Sequence, residues 1–262
     1  MTSDFAGSLK RILSASADAK AEARPIIYFA GVNTNPVCEA FAGLHVLESF
    51  ADIRNLLDRH RPLFKSMCLD SGAYSVMTTG KSVSLREYIK FAKAHGGFYD
   101  FVASLDSIGG SAEENLVNLE KMRDAGIDAM PTYHSGEPVE LLRKYCASSS
   151  RVGLGVVRPN GKMPPSASVR EFLKSSFAEI PASVRVHGWG MTNYTNFPFH
   201  SVDSTTWLWE VKALLSTKGQ GAEALACLTP RECIEIVQKK YLRYGKRQAW
   251  GDFNESNNLE NL

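Results

Sequence analysis

The chain is poor in the features that mark metal-binding, secreted or membrane proteins. Its five cysteines, Cys38, Cys68, Cys146, Cys227 and Cys233, are odd in number, widely scattered and never in CxxC spacing. Neither a zinc knuckle nor a disulfide framework is therefore expected, and the chain reads as free of metal and cofactor. No apolar run approaches membrane-spanning length, so no membrane partner is expected. The N-terminal stretch MTSDFAGSLKRILSASADAKAEA carries Asp4 and lacks a continuous apolar segment. It reads as an amphipathic helix rather than a signal peptide, and the expected location is cytoplasmic. Net charge is only +2, so global charge does not announce a nucleic-acid partner and any basic surface must be local. No internal repeat stands out beyond an alternation of strand and helix patterns. No linker composition appears before residue 216.

What is present is an ordinary soluble composition, 44% hydrophobic and 22% charged, in 262 residues. That length suits one large α/β domain. Short β-branched or apolar runs occur at Pro25–Val32, Leu44–Phe50, Ser66–Leu69, Phe101–Leu105, Ala129–Tyr133, Arg151–Val157, Val184–Val186 and Ser201–Val202. Helical patterns follow at Ile53–His60, Leu85–His95, Ser111–Ala125, Pro138–Cys146, Val169–Ile180 and Leu208–Leu215. Ser111 with Glu114 three residues later forms a capping-box pattern. Eight strand runs, alternating with these helical patterns, predict a single (β/α)₈ TIM barrel, core about 25–215, whose active site gathers at the C-terminal strand ends. A doubly wound open sheet is the alternative.

Polar side chains at four of the predicted strand ends favour the barrel: Asp70, Asp106, His134 and Asp203. Any one aspartate there is an ordinary helix N-cap. Their repetition at successive strand ends points to a shared site instead. Around the last of them, Val184–Trp207 holds two strands and two corners, His187-Gly188-Trp189-Gly190 and Asp203-Ser204-Thr205-Thr206. Past residue 216 the chain turns basic. A helical pattern over Thr229–Gly245 leads through Lys239, Lys240, Arg243, Lys246 and Arg247, with Tyr241, Tyr244 and Trp250 interleaved. A solvated helix setting cations against its dipole and a phosphate-backbone contact both fit that pattern.

At Asp70-Ser71-Gly72-Ala73-Tyr74-Ser75 the chain resembles the tRNA-guanine transglycosylase superfamily, where Asp-Ser-Gly-Gly-Phe-Gln ends a barrel strand. Leu105-Asp106 is similar to that family's base-holding aspartate. Gly153-Leu154-Gly155 resembles its Gly-Leu-Ala segment, and His187-Gly188-Trp189-Gly190 resembles its Met-Gly-Val-Gly turn. Ser201-Val202-Asp203-Ser204 resembles the strand bearing its nucleophilic aspartate. The match runs from about residue 25 to 210 and is closer to the compact DpdA-like branch, associated with 7-deazaguanine bases in DNA. Two departures matter: the zinc site of the tRNA enzymes has no counterpart, and His134, with Ser135 and Glu137, stands where they carry glutamine.

The resemblance implies Asp203 as nucleophile and Asp70 as acid and base. Base-binding roles fall to Asp106, Tyr74, Ser71, Gly72, His134, Gly153, Leu154, Gly155, His187, Gly188 and Trp189. Arg158, Lys162, Lys239, Lys240 and Arg243 are the candidate backbone contacts. The implied partner is DNA, with a free modified base as co-substrate, and the implied reaction exchanges one base for a 7-deazaguanine. Capture of the same intermediate by water would make a DNA glycosylase, an activity that would serve antiphage defence. A non-catalytic nucleic-acid-binding barrel and a small-molecule glycoside hydrolase stay open beside these.

Overall fold

The computed structural model describes residues 25–32, 35–52, 60–80, 82–107, 110–156, 164–208 and 210–211. The expected N-terminal helix, the loop with Arg158 and Lys162, and the basic segment with Lys239, Lys240 and Arg243 lie outside these residues, as does most of the expected helix at 53–60.

Among the described residues, nine parallel strand segments form one sheet whose two ends are consecutive in the chain. They are β1 (Ile26–Ala30), β2 (His45–Ser49), β3 (Ser66–Asp70), β4 (Val102–Ala103), β5 in two segments (Ala129–Met130 and Thr132–His134), β6 (Arg151–Gly155), β7 (Arg185–Gly188) and β8 (Ser201–Ser204). Pro131 splits β5, having no N–H for the ladder, although its carbonyl accepts from Gly153 N at 2.8 Å. The first segment pairs with β4 and the second with β6, while β8 pairs with β1. The ring therefore closes as a (β/α)₈ barrel, as the strand–helix alternation predicts.

Among the described residues the α-helices are α1 (Asn35–Ala40), α2 (Ala73–Thr79), α3 (Leu85–His95), α4 (Ala112–Asp124), α5 (Val139–Ser148) and α6 (Ser166–Glu179). Four agree with the sequence pattern. The Ser111 side chain caps α4, accepting from Glu114 N at 3.1 Å. Helices α1 and α2 escape that pattern because both are short, and α2 starts at Gly72 with no side-chain cap. A second correction concerns β4. It ends at Ala103, so Asp106 stands three residues beyond the strand, on a loop rather than at its tip.

Period-two alternation sorts the strand side chains. Leu69, Val152, Leu154, Val186 and Val202 face outward into one core with Tyr88, Leu119, Met122, Leu142, Tyr145 and Leu173 of the helices. Tyr28, Ala30, Leu47, Cys68, Phe101 and Met130 fill the barrel interior. The same inward phase carries Asp70 above Cys68, His134 above Thr132, and Asp203 above Ser201. Polar groups at the mouth thus stand on a packed, largely apolar stem.

Candidate active site

Three carboxylates share the C-terminal mouth. Asp70 ends β3, with Gly72 N–H donating to its Oδ2 at 3.0 Å. Burial pushes its carboxyl up to about 7, and the negative charges of Asp106 and Asp203 push the same way. The backbone N–H groups of Gly72 and Ser71 pull less strongly in the other direction. At neutral pH this is an acid close to half-protonated, suited to give and retake a proton.

The Asp106 loop is pinned from below. Tyr88 Oη donates to Ala103 O at 2.7 Å, and Ser107 N–H donates to the buried Asn115 Oδ1 at 2.8 Å. Asp106 Oδ1 accepts from Ser71 Oγ at 3.2 Å, and its Oδ2 lies 2.8 Å from His134 Nε2. Each oxygen keeps one further lone pair for a ligand.

His134 sits between two carboxylates. Glu137 Oε2 accepts from the His134 backbone N–H at 2.7 Å, and its Oε1 lies 3.6 Å from Nδ1. The tight turn that returns Glu137 to this position is closed by Glu137 N–H donating to His134 O at 3.1 Å, with Tyr133 Oη donating to Glu137 O at 2.8 Å. Burial opposes a charge on the imidazole, but hydrogen bonds and attraction from Asp106 and Glu137 outweigh it and raise its pKa to about 10. His134 is thus an imidazolium across the physiological range. In the sequence Glu137 stands beside His134 with no role of its own; the fold makes it the second carboxylate on the imidazole. Its spacing from His134 across a Ser-Gly turn was the available signal.

Asp203 lies on β8 with Oδ1 accepting from Gly190 N–H at 2.9 Å. Asp106 and Asp203 both spend these hydrogen bonds inside the mouth. Ser204, not Asp203, takes the N-terminal turn of the next segment, its Oγ accepting from Thr206 N–H at 3.0 Å. The capping reading therefore fails for Asp203.

The Gly-Leu-Gly segment of β6 acquires a geometric meaning. Thr132 pairs with Gly153 and His134 with Gly155 in register. A Cβ on Gly153 would stand 2.5 Å from Trp189 Nε1, and one on Gly155 would stand 3.0 Å from His134 Cδ2. The bare strand face makes room for the indole, whose Nε1–H donates to Thr132 Oγ1 at 3.1 Å. Leu154 points the other way, fully buried against the helices.

The other expected site residues divide clearly. Ser71 and Gly72 are buried beneath the mouth, and Tyr74 on α2 is 52% exposed at its edge. Trp189 is part-buried, with its ring 4.4 Å from that of His187. His187 is not at a corner. It lies within β7, fully buried, and Gly188 packs against Phe199 and Met191. A further cavity of about 430 Å³ opens at the opposite barrel end, lined in part by Lys93, Gly97, Asp100 and Asp128, remote from these carboxylates. Among the described residues no cluster of three or more His, Cys, Asp or Glu is arranged to hold a metal ion, and no helix is long and apolar enough to cross a membrane.

No protein-family model matches the chain, and no curated protein matches it. Among solved structures it is similar to the YdjI aldolase from Escherichia coli K12, at 11% identity and a TM-score of 0.52, over 86% of this chain and 92% of that one. It is also similar to a chain of the tryptophan synthase complex from Pyrococcus furiosus, at 13% identity and a TM-score of 0.46, over 84% and 96%. At such identities the aldolase likeness speaks to the barrel fold alone.

Proposed function

We propose that the protein breaks the N-glycosidic bond of a base in DNA, with Asp203 as nucleophile, and exchanges that base for a 7-deazaguanine. The observation that carries this reading is the electrostatic union of Asp70, Asp106 and Asp203 at one barrel mouth, with Asp70 holding its proton to about pH 7. Two-carboxylate chemistry at an anomeric carbon needs one group to meet the sugar and another to manage the leaving group's proton.

In the first step an Asp203 oxygen attacks C1′ and the glycosidic electron pair leaves with the base nitrogen. That nitrogen takes the Asp70 proton. The products are a glycosyl ester on Asp203, a neutral base and an Asp70 carboxylate. In the return step Asp70 takes a proton from the incoming base, whose nitrogen attacks C1′ and displaces Asp203 as a carboxylate. Asp106, oriented by His134 and Ser71, grips an N–H edge of the base with its remaining lone pairs. The exposed ring of Tyr74 offers a stacking face, and Trp189 contributes a second aromatic surface.

A duplex base must be flipped out to reach such a mouth, at a few kcal/mol of unstacking. Phosphate contacts from Arg158, Lys162, Lys239, Lys240 and Arg243 would offset part of that. Water in place of the incoming base would leave an abasic site through the same ester.

Mass spectrometry of nucleosides and released bases after incubation with modified and unmodified DNA tests the reading. Base exchange supports it as stated, whereas base release with abasic sites assigns the second step to water. Asp203→Asn should abolish both while preserving the fold and DNA binding. Full activity in that variant would sink the assignment.

A further inference from the structure

One group behind the mouth has no role in that scheme. His187 is fully buried, and its register partner on β8 is Ser201, also buried. Both side chains point inward, so Nδ1 meets Ser201 Oγ at 2.8 Å. Asp203 stands two residues further along β8, on the same face. His187 Nε2 lies 3.4 Å from Asp203 Oδ1, and it is a buried nitrogen with no hydrogen bond of its own.

We infer that His187 is a positioning residue for Asp203, holding Oδ1 through an Nε2–H tautomer set by Ser201, so that the other oxygen, Oδ2, meets the sugar. The inference rests on the nucleophile reading of Asp203.

The tautomer follows from what faces each nitrogen. An ionised carboxylate only accepts, so a bare Nε2 lone pair aimed at Oδ1 would be buried, unpaired and repelled. A proton on Nε2 removes that conflict, and the Ser201 hydroxyl is free to rotate and donate to Nδ1. The remaining surroundings leave no second outlet. The rings of Tyr28, Phe101 and Trp189 pack around the imidazole, and the charged or titratable neighbours are Asp203, Arg151 and His200. Burial keeps His187 below the ordinary histidine range, with Arg151 adding to that and Asp203 opposing it. The ring is therefore a neutral donor.

Gly190 N–H approaches the same oxygen at 2.9 Å. Two donors on Oδ1, and neither on Oδ2, distinguish the two oxygens of one carboxylate. They fix its rotamer before attack. They also bear on the return step, because the charge regained when C1′ leaves Oδ2 is shared with Oδ1.

The test has a spectroscopic arm and a kinetic arm on the full chain. With only six histidines, imidazole-¹⁵N spectra can be assigned using His187→Gln. The expected result is an Nε2-protonated, neutral His187 at pH 7, whose Nε2 resonance moves in Asp203→Asn and stays in place in a variant of the exposed Lys93. An Nδ1-protonated ring, or one indifferent to Asp203→Asn, overturns the inference. The kinetic arm uses oligodeoxynucleotides carrying guanine or 7-deazaguanine. Ser201→Ala should lower kcat about tenfold or more with KM little changed, because the tautomer loses its selector. Unchanged kcat in both Ser201→Ala and His187→Gln, with Asp203→Asn inactive, defeats this inference and spares the nucleophile. An active Asp203→Asn defeats the nucleophile reading itself. If His187→Gln does not fold, the wild-type tautomer and Ser201→Ala still decide.

Discussion

At Asp70 the quantity that governs chemistry is the pH at which the carboxyl gives up its proton, about 7. If that proton goes to the departing base, the rate of base release should fall tenfold per pH unit above about 7. A rate profile from pH 5 to 9 checks this, and a flat alkaline side would remove Asp70 from the acid role. Glu137→Gln makes a separate test of the charge on His134. The amide keeps an oxygen to accept from the His134 backbone N–H, yet the negative charge is gone. The imidazolium should then lose its proton at a pH clearly below its present value of about 10, which ¹⁵N-imidazole titration would register. An unmoved titration would mean that Asp106 alone holds the charge.

At the scale of elements, two glycines carry the mouth. Gly72, at the start of α2, sits at φ +89°, and an added Cβ would lie 2.3 Å from Ala51 Cβ and 2.8 Å from Ala51 N. Both the backbone conformation and the contact exclude a side chain. Gly72→Ala should lose on the order of 2–4 kcal/mol in urea unfolding and should disturb the Asp70–Ser71 turn. Gly153→Ala acts differently. Its backbone is ordinary, but the new methyl would displace the Trp189 indole from Thr132. A smaller loss, about 1–3 kcal/mol, should come with a red-shifted tryptophan emission as that ring becomes more solvated. Unchanged emission would show that the indole can relax within the mouth.

For the whole molecule, Asp70 and His134 have the same effect on stability as pH rises. Asp70 titrates at about 7 when folded, against an ordinary carboxylate value near 4. The folded state therefore binds more protons between those values, and stability falls as pH rises through them. His134 titrates at about 10 when folded, against roughly 6.5 unfolded. Its contribution is complete below about pH 6.5 and is lost as pH climbs through about 10. Each interval is worth at most about 4–5 kcal/mol. The single variants should separate the two groups by sign. Asp70→Asn should be more stable than wild type above about pH 7 and equal to it below about pH 4. His134→Gln should be less stable below about pH 6.5 and equal above about pH 10. Because Asp106 faces both groups, the double variant should not show the sum. Denaturation midpoints across pH would check each difference.

The sequence by itself determined the barrel and the residues at its mouth. Strand and helix periodicity is a local property, and eight repeats of it leave few ways to bury every apolar face. Asp70, His134 and Asp203 were legible because a polar residue ending an apolar run is visible without knowing what it meets. Tertiary structure alone decided what each of them meets. Glu137 reaches back to His134 through a turn, Ser71 reaches across to Asp106, and the glycines of β6 make room for partners from two other strands. The placement of His187 behind Asp203 depends on the β7–β8 register, which no single strand encodes. The protonation of Asp70 has the same origin, since a carboxyl is raised by charges that only barrel closure brings beside it.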